Sequence, residues 1–119
     1  MRVLGIVYEH DATVCLMEDG KIVISNQQAE SLLGLSRQAL LGESFYAFLE
    51  GGELLRESIS TYLTIGSWEG MGTESFQRVN GVRGKVTDVV MSITASTSDQ
   101  KPLFTAILRQ VPPQEHAED

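Results

Sequence analysis

The sequence has very few of the residues that build disulfides, metal centres and membrane spans. Among its 119 residues are one cysteine, Cys15, and two histidines, His10 and His116. A single cysteine cannot form an internal disulfide or a cysteine-based metal site, which fits a reducing cytoplasm. The apolar stretch in residues 1–11 is too short for a signal peptide or a spanning helix. We therefore expect a cytoplasmic protein with no direct membrane contact.

Positive charge is also scarce. Nine Lys and Arg residues face 16 Asp and Glu residues, for a formal net charge of −7, and no run of basic residues occurs. Such a chain repels phosphate backbones, so we expect no nucleic-acid partner. The length and the 42% hydrophobic content match one globular domain with a single core.

The N-terminal half begins with a hairpin signal. Residues 13–18 and 21–25 are apolar and rich in β-branched side chains, and Asp19-Gly20 separates them. Asp-Gly between two such runs favours a type I′ turn, in which both central residues have positive φ. The sequence therefore predicts two strands joined by a type I′ turn.

A helix is predicted directly after this hairpin. Asn26 is a typical N-cap, and Ala29, Leu32 and Leu33 recur at helical spacing before Gly34, a typical stop. Cys15, on the first strand, is interpreted as a small residue of the core.

Two short helices and one long helix follow. Ser36 starts the first, which Gly42 ends, and Ser44 starts the second over residues 45–50. The long helix covers residues 53–66 and ends at its glycine. Its apolar residues, spaced by about three and four, are Leu54, Leu55, Ile59, Tyr62 and Leu63.

Three further strands are predicted over residues 73–82, 85–96 and 102–111. Two strands, then helices, then three strands indicate an α+β domain with an antiparallel sheet. We expect one domain over residues 1–111, with 1–11 as a flanking segment. The acidic residues 112–119 are expected to be a disordered tail.

Four segments carry a family resemblance: EDGKIVISN at 18–26, AESLLGLSRQALLG at 29–42, the helix end TYLTIG at 61–66, and PLFTAILRQV at 102–111. In this order they resemble the PAS domain family, over about residues 5–111. The resemblance implies a five-stranded antiparallel sheet of order 2-1-5-4-3, with short helices and one longer helix packed on one face around a small pocket. It also implies a sensory or signal-relay module that binds a ligand, dimerises or both, and regulates an output protein or domain such as a kinase.

The resemblance also allows cofactors to be compared. Leu55 stands where haem-binding relatives have a histidine ligand, and Cys15 lacks the Asn-Cys-Arg context of light-sensing flavin domains. We therefore predict no cofactor and argue against haem. Noncovalent flavin stacked on Trp68 is kept as an alternative to Trp68 as a packing residue. The pocket is expected to be apolar, with nine candidate residues: Leu55, Ile59, Tyr62, Leu63, Met91, Ile93, Phe104, Ala106 and Leu108.

The last two strands have apolar residues on both faces, whereas a sheet solvated on one side alternates apolar and polar residues. Something must therefore cover the outer face: the N-terminal segment of residues 1–8, a partner subunit, or both. We predict a homodimer through this face, to which the N-terminal segment contributes. The candidate interface residues are Val3, Leu4, Ile6, Val7, Val86, Val90, Leu103 and Ile107.

Two other functions stay open. The domain could bind nothing small and serve only as a dimerisation or docking surface. It could also be a small pocket enzyme, for which Asp88 is the one candidate acid if it is buried. We predict no catalytic and no metal-binding residues. Pro112-Pro113 argues against a rigid helical link to a C-terminal output domain.

Overall fold

The computed structural model describes residues 11–111 of the chain. Five strands form one antiparallel sheet of order β2-β1-β5-β4-β3. This is the predicted α+β fold with the predicted strand order. The strands are β1 (Ala12–Leu16), β2 (Ile22–Ser25), β3 (Glu74–Asn80), β4 (Val86–Ser98) and β5 (Lys101–Gln110).

Helical segments connect β2 to β3. They are α1 (Gln27–Leu33), α2 (Arg37–Leu40), a 3-10 helix (Phe45–Phe48) and α3 (Gly52–Ile65), and a short 3-10 turn (Val82–Gly84) lies between β3 and β4. Within residues 11–111, no helix has the length and apolar content needed to cross a membrane.

Asn26 joins β1 to α1. Its Oδ1 accepts hydrogen bonds from the backbone N–H groups of Ala29 and Thr13, both at 3.0 Å. Its Nδ2 donates to the backbone carbonyl of Asp11, also at 3.0 Å. The predicted N-cap is confirmed, as is the stop at Gly34, which has φ 82°. The same side chain therefore starts the helix and fixes it to the sheet.

The turn of the first hairpin differs from the predicted type I′ turn. Only Gly20 has positive φ, at 85°, and its N–H donates to the carbonyl of Met17 at 2.9 Å. Met17 in turn donates to Lys21, which makes a three-residue loop with glycine in its last position. A Cβ on Gly20 would lie 2.2 Å from the Tyr46 ring, so glycine is required there for space as well as for φ.

The connecting helices differ from prediction in detail. Ser36 caps α2 as predicted, with Oγ accepting from Ala39 N–H at 3.2 Å, but the helix ends at Leu40, before Gly42. Ser44 makes no side-chain cap bond, and the segment after it is a 3-10 helix. Ser44 instead forms an isolated bridge with Lys21, which covers part of the edge of β2.

The long helix α3 buries a narrower stripe than its sequence predicts. Leu55 and Ile59 are buried, whereas Leu54 is 70% exposed and Leu63 is 39% exposed. Because α3 packs on one side only, residues at spacing three and four beyond this stripe turn toward solvent. The apolar spacing of the sequence therefore extends beyond the buried stripe, at Leu54 and Leu63.

One face of the sheet forms the core with the helices. Strand alternation directs every second side chain to this inner face, and the strand register aligns these residues across β1, β5 and β4. The buried strand residues of the core are Ala12, Val14, Leu16, Ile22, Val79, Val89, Met91, Ile93, Phe104, Ala106 and Leu108.

Candidate functional site

The predicted pocket residues lie mostly in the core. Seven of the nine are buried in the one apolar cluster of the core: Leu55, Ile59, Met91, Ile93, Phe104, Ala106 and Leu108. Tyr62 is partly buried against this cluster, and the exposed Leu63 lies outside it. The structure therefore brings eight of these side chains together at the inner face of the sheet. Their role as a ligand pocket stays a prediction.

Aromatic residues are partly buried against this cluster. The rings of Tyr62 and Phe104 meet edge to face, with centroids 5.6 Å apart and planes at 81°. Trp68 and Met71 are also partly buried against the core. The indole lies close to the loop backbone, since a Cβ on Gly70 would be 2.6 Å from the Trp68 ring. Trp68 therefore packs on the core, as its structural interpretation predicts.

A second aromatic site was not predicted. The Tyr46 ring lies 5.2 Å from the Arg56 guanidinium carbon and packs against Gly20. Burial raises the pKa of the Tyr46 hydroxyl, and the charge of Arg56 partly offsets this rise. These residues lie far apart in the sequence, so periodicity gives no sign of the contact.

The outer face of the sheet carries exposed apolar side chains. Val86 is 56% exposed and Ile107 is 39% exposed, while Val90 and Leu103 are half-buried. All four are interface candidates of the sequence. The other four candidates, Val3, Leu4, Ile6 and Val7, lie outside the described residues.

Phe76 is the most exposed large apolar residue on this face, at 78%. It pairs with Val90 in the register of β3 and β4, so its ring lies on the outer face. Sequence reasoning missed it because β3 has only one other apolar residue, Val79, and therefore no clear apolar face. The sequence nevertheless held a signal, because Phe76 stands three residues before Val79. Two strand residues at an odd offset point to opposite faces, and Val79 is buried on the inner face.

A shallow groove of about 260 Å³ borders Phe76. It is lined by Phe76, Gln77, Arg78, Asp88 and Val111. Arg78 Nε lies 3.0 Å from Asp88 Oδ1, and a hydrogen bond and the charge of Asp88 raise the pKa of Arg78.

The position of Asp88 removes the candidate acid of the enzyme hypothesis. Its side chain is 40% exposed on the outer face, where it pairs with Arg78. A poised acid would need burial, and the sequence offered no other candidate.

Cys15 is buried, and its predicted burial as a small hydrophobic residue is confirmed. It pairs with Ile24 and Thr105, and its Sγ lies 3.5 Å from Thr105 Oγ1 on the outer face. Its neighbours in the strand, Val14 and Leu16, enter the cluster beneath the helices. Strand alternation therefore places Cys15 on the opposite face from that cluster.

Metal chemistry finds no support in the part of the chain that the structure describes. No group of three or more His, Cys, Asp or Glu residues in it could hold an ion. Both histidines of the sequence, His10 and His116, lie outside the described residues.

Comparisons with known proteins identify the fold. The PAS fold family matches residues 6–111. The PAS domain of an HTR-like protein from Haloarcula marismortui is 19% identical, with a TM-score of 0.70 over 92% of this chain and 89% of that chain. A PAS domain from a two-component sensor histidine kinase is 15% identical, with a TM-score of 0.68 over 93% of this chain and 100% of that chain.

A third similar structure is the PAS domain of nitrogen regulation protein NR(II) from Vibrio parahaemolyticus. It is 15% identical, with a TM-score of 0.63 over 93% of this chain and 98% of that chain. No curated protein matches the chain. The family match over nearly the whole chain, together with the sheet order and the covering helices, shows that this chain belongs to the PAS domain family.

Proposed function

We propose that this chain is a cytoplasmic sensory or signal-relay module that binds a small apolar ligand, has no catalytic activity of its own and passes its signal to an output protein or domain. PAS domains of similar structure occur in a two-component sensor histidine kinase and in a nitrogen regulation protein. The observation that carries the proposal is the partial burial of Tyr62, Trp68 and Met71 against the apolar core, and these three residues are called the aromatic margin below.

This margin suits a small apolar ligand with one polar group. Phe104, Ile93 and Ile59 are buried apolar residues of the same core, and the rings of Tyr62 and Phe104 meet edge to face. A ligand that enters here buries its apolar part against these side chains, and the Tyr62 hydroxyl can hydrogen-bond its polar group. Such binding would move α3 relative to the sheet, which gives a route from ligand to output.

Mass spectrometry of an organic extract of the purified protein tests the ligand. We expect a small apolar compound in the extract and an absorbance spectrum without haem or flavin bands. Thermal unfolding with added indole supplies a second measurement. Ile59→Ala changes the wall of the core and should alter the shift of the midpoint, whereas Leu54→Ala, on the exposed side of α3, should not. An empty extract together with no indole effect on any variant would refute ligand binding.

The outer face supports a second part of the proposal, a homodimer. Val86, Ile107 and Phe76 expose apolar surface on adjacent strands, and exposed patches of this kind mark interaction sites. The N-terminal candidates Val3, Leu4, Ile6 and Val7 remain part of this proposal. Size-exclusion chromatography with light scattering at high micromolar concentration should give twice the monomer mass. A monomer under these conditions would contradict it.

A dimerisation or docking domain without a ligand is the alternative that this face favours. It predicts the dimer mass, an empty extract and no effect of indole. The two measurements together therefore separate the ligand-binding module from the docking domain.

A further inference from the structure

The exposure of the outer face is uneven. Cys15 on β1 is 9% exposed, Ile107 on β5 is 39% exposed, and Phe76 on β3 is 78% exposed. The most exposed apolar side chain of this face is therefore at the β3 edge, while Ile24 on β2 is 51% exposed at the opposite edge. The half of the face that a partner has most to gain from covering is the half around Phe76.

The charges around Phe76 follow a regular arrangement. Phe76, Val90 and Arg109 form a row across β3, β4 and β5. Glu74 and Arg78 stand two residues before and after Phe76 on the same strand, so both side chains share its face. The aromatic residue is thus flanked by one acid and one base.

Each neighbouring row continues this asymmetry across the sheet. On one side lie Glu74, Ser92 and Ile107. On the other side lie Arg78, Asp88 and Val111. Both rows therefore begin with a charged residue on β3 and end with an apolar residue, Ile107 on β5 or Val111 directly after it.

We propose that this half of the outer face binds a second copy of the chain about a twofold axis that follows the Phe76–Val90–Arg109 row. This rests on the proposed homodimer and specifies its interface. Such an axis makes β3 antiparallel in the two copies. It places Glu74 of each copy over Arg78 of the other, and Ile107 over Val111, so charged and apolar residues meet their complements.

Phe76 lies on this axis and therefore meets Phe76 of the other copy. Each ring is 78% exposed in the single chain, so the two rings lose apolar surface to water when they pack together. An aromatic side chain in this position makes a typical anchor of an interface.

Local charge balance permits two acidic chains to meet here. The formal net charge of −7 repels a second copy at long range. On this face, however, Arg78 lies 3.0 Å from Asp88, and Arg109 lies 3.4 Å from Glu74. Each cation has a carboxylate beside it, so the patch itself is close to neutral.

Light scattering and sedimentation of four variants test the interface. Phe76→Arg should raise the dimer dissociation constant about 30-fold or more, as loss of a central anchor does. Leu54→Arg, an equally exposed apolar residue on α3, is the matched control and should leave it unchanged. Glu74→Arg and Arg78→Glu should each weaken the homodimer about 10-fold, because like charges then face each other across the axis.

Mixing the last two variants gives the sharpest result. In a mixture of Glu74→Arg and Arg78→Glu chains, each arginine of the first chain faces a glutamate of the second. The heterodimer should therefore form with about the dissociation constant of the wild-type homodimer. Circular dichroism checks that each variant is folded. Failure of the mixture to recover, with both variants folded, overturns the antiparallel arrangement.

The outcomes separate this inference from the proposed function. A monomeric wild-type chain refutes the homodimer and the interface together. A wild-type dimer that Phe76→Arg leaves intact refutes the interface alone and leaves the homodimer to another surface.

Discussion

Replacing Asn26 with alanine removes the three hydrogen bonds that join β1 to α1. The lost N-cap costs about 1 kcal/mol. The bonds to Thr13 N–H and from Nδ2 to the Asp11 carbonyl each contribute about 1 kcal/mol. Both are partly buried, so water replaces them incompletely. We therefore expect the free energy of unfolding to fall by about 3 kcal/mol.

Two variants calibrate this value. Asn26→Asp keeps the oxygen that accepts from Ala29 and Thr13 but loses the Nδ2 donor, so we expect a loss of about 1–2 kcal/mol. Ser36→Ala removes a single exposed cap bond on α2 and should cost about 0.5–1 kcal/mol. The expected order of stability is Ser36→Ala, then Asn26→Asp, then Asn26→Ala.

Urea unfolding followed by far-ultraviolet circular dichroism measures these differences. With an m-value of about 1.5 kcal/mol/M, Asn26→Ala should lower the midpoint by about 2 M. An equal loss in Asn26→Ala and Ser36→Ala would refute the reasoning, because Asn26 would then act only as a cap. A changed m-value would require a separate account of the denatured state.

Three further predictions concern the turns and Tyr46. Gln100 has φ 67° in the β4–β5 turn, a conformation that glycine adopts without strain. Gln100→Gly should therefore raise the free energy of unfolding by about 1 kcal/mol, whereas Gln100→Ala should not. Equal effects of the two variants in chemical denaturation would contradict this. Gly20→Ala meets the Tyr46 ring, whereas Gly66→Ala, also at positive φ, meets nothing within 4 Å. We expect Gly20→Ala to lose about 2 kcal/mol more than Gly66→Ala in the same assay, and similar losses would argue against the contact. Because burial raises the pKa of Tyr46, the folded state holds this proton more tightly than the unfolded state, and the resulting stability declines as pH rises above about 10. Tyr46→Phe should lose less stability than wild type between pH 9 and 11, and parallel pH profiles would contradict this.

Local chemistry made the element order predictable. Asn26 and Ser36 cap the starts of α1 and α2, and Gly34 ends α1. Each of these roles depends only on residues nearby in the sequence. The first turn was misjudged because Asp19-Gly20 fits two hairpin geometries. The contact of Gly20 with Tyr46 is compatible with the longer loop that the chain adopts.

The candidate site was predictable only in part. Alternation correctly separated Met91 and Ile93 from Val86 and Val90, since all four lie on one long strand. It could not show that the exposed Phe76 shares the face of Val90, because that depends on the pairing of two strands.

The sequence by itself determined the order of strands and helices, their caps and the alternation of each strand, because these follow from contacts within a few residues. Only the tertiary structure decided which face of each strand is covered. It assigned Cys15 to the outer face, exposed Leu54, and brought Tyr46 against Gly20 and Arg56. Burial of a side chain depends on which strands and helices pack against each other, and these contacts join residues that are distant in the sequence.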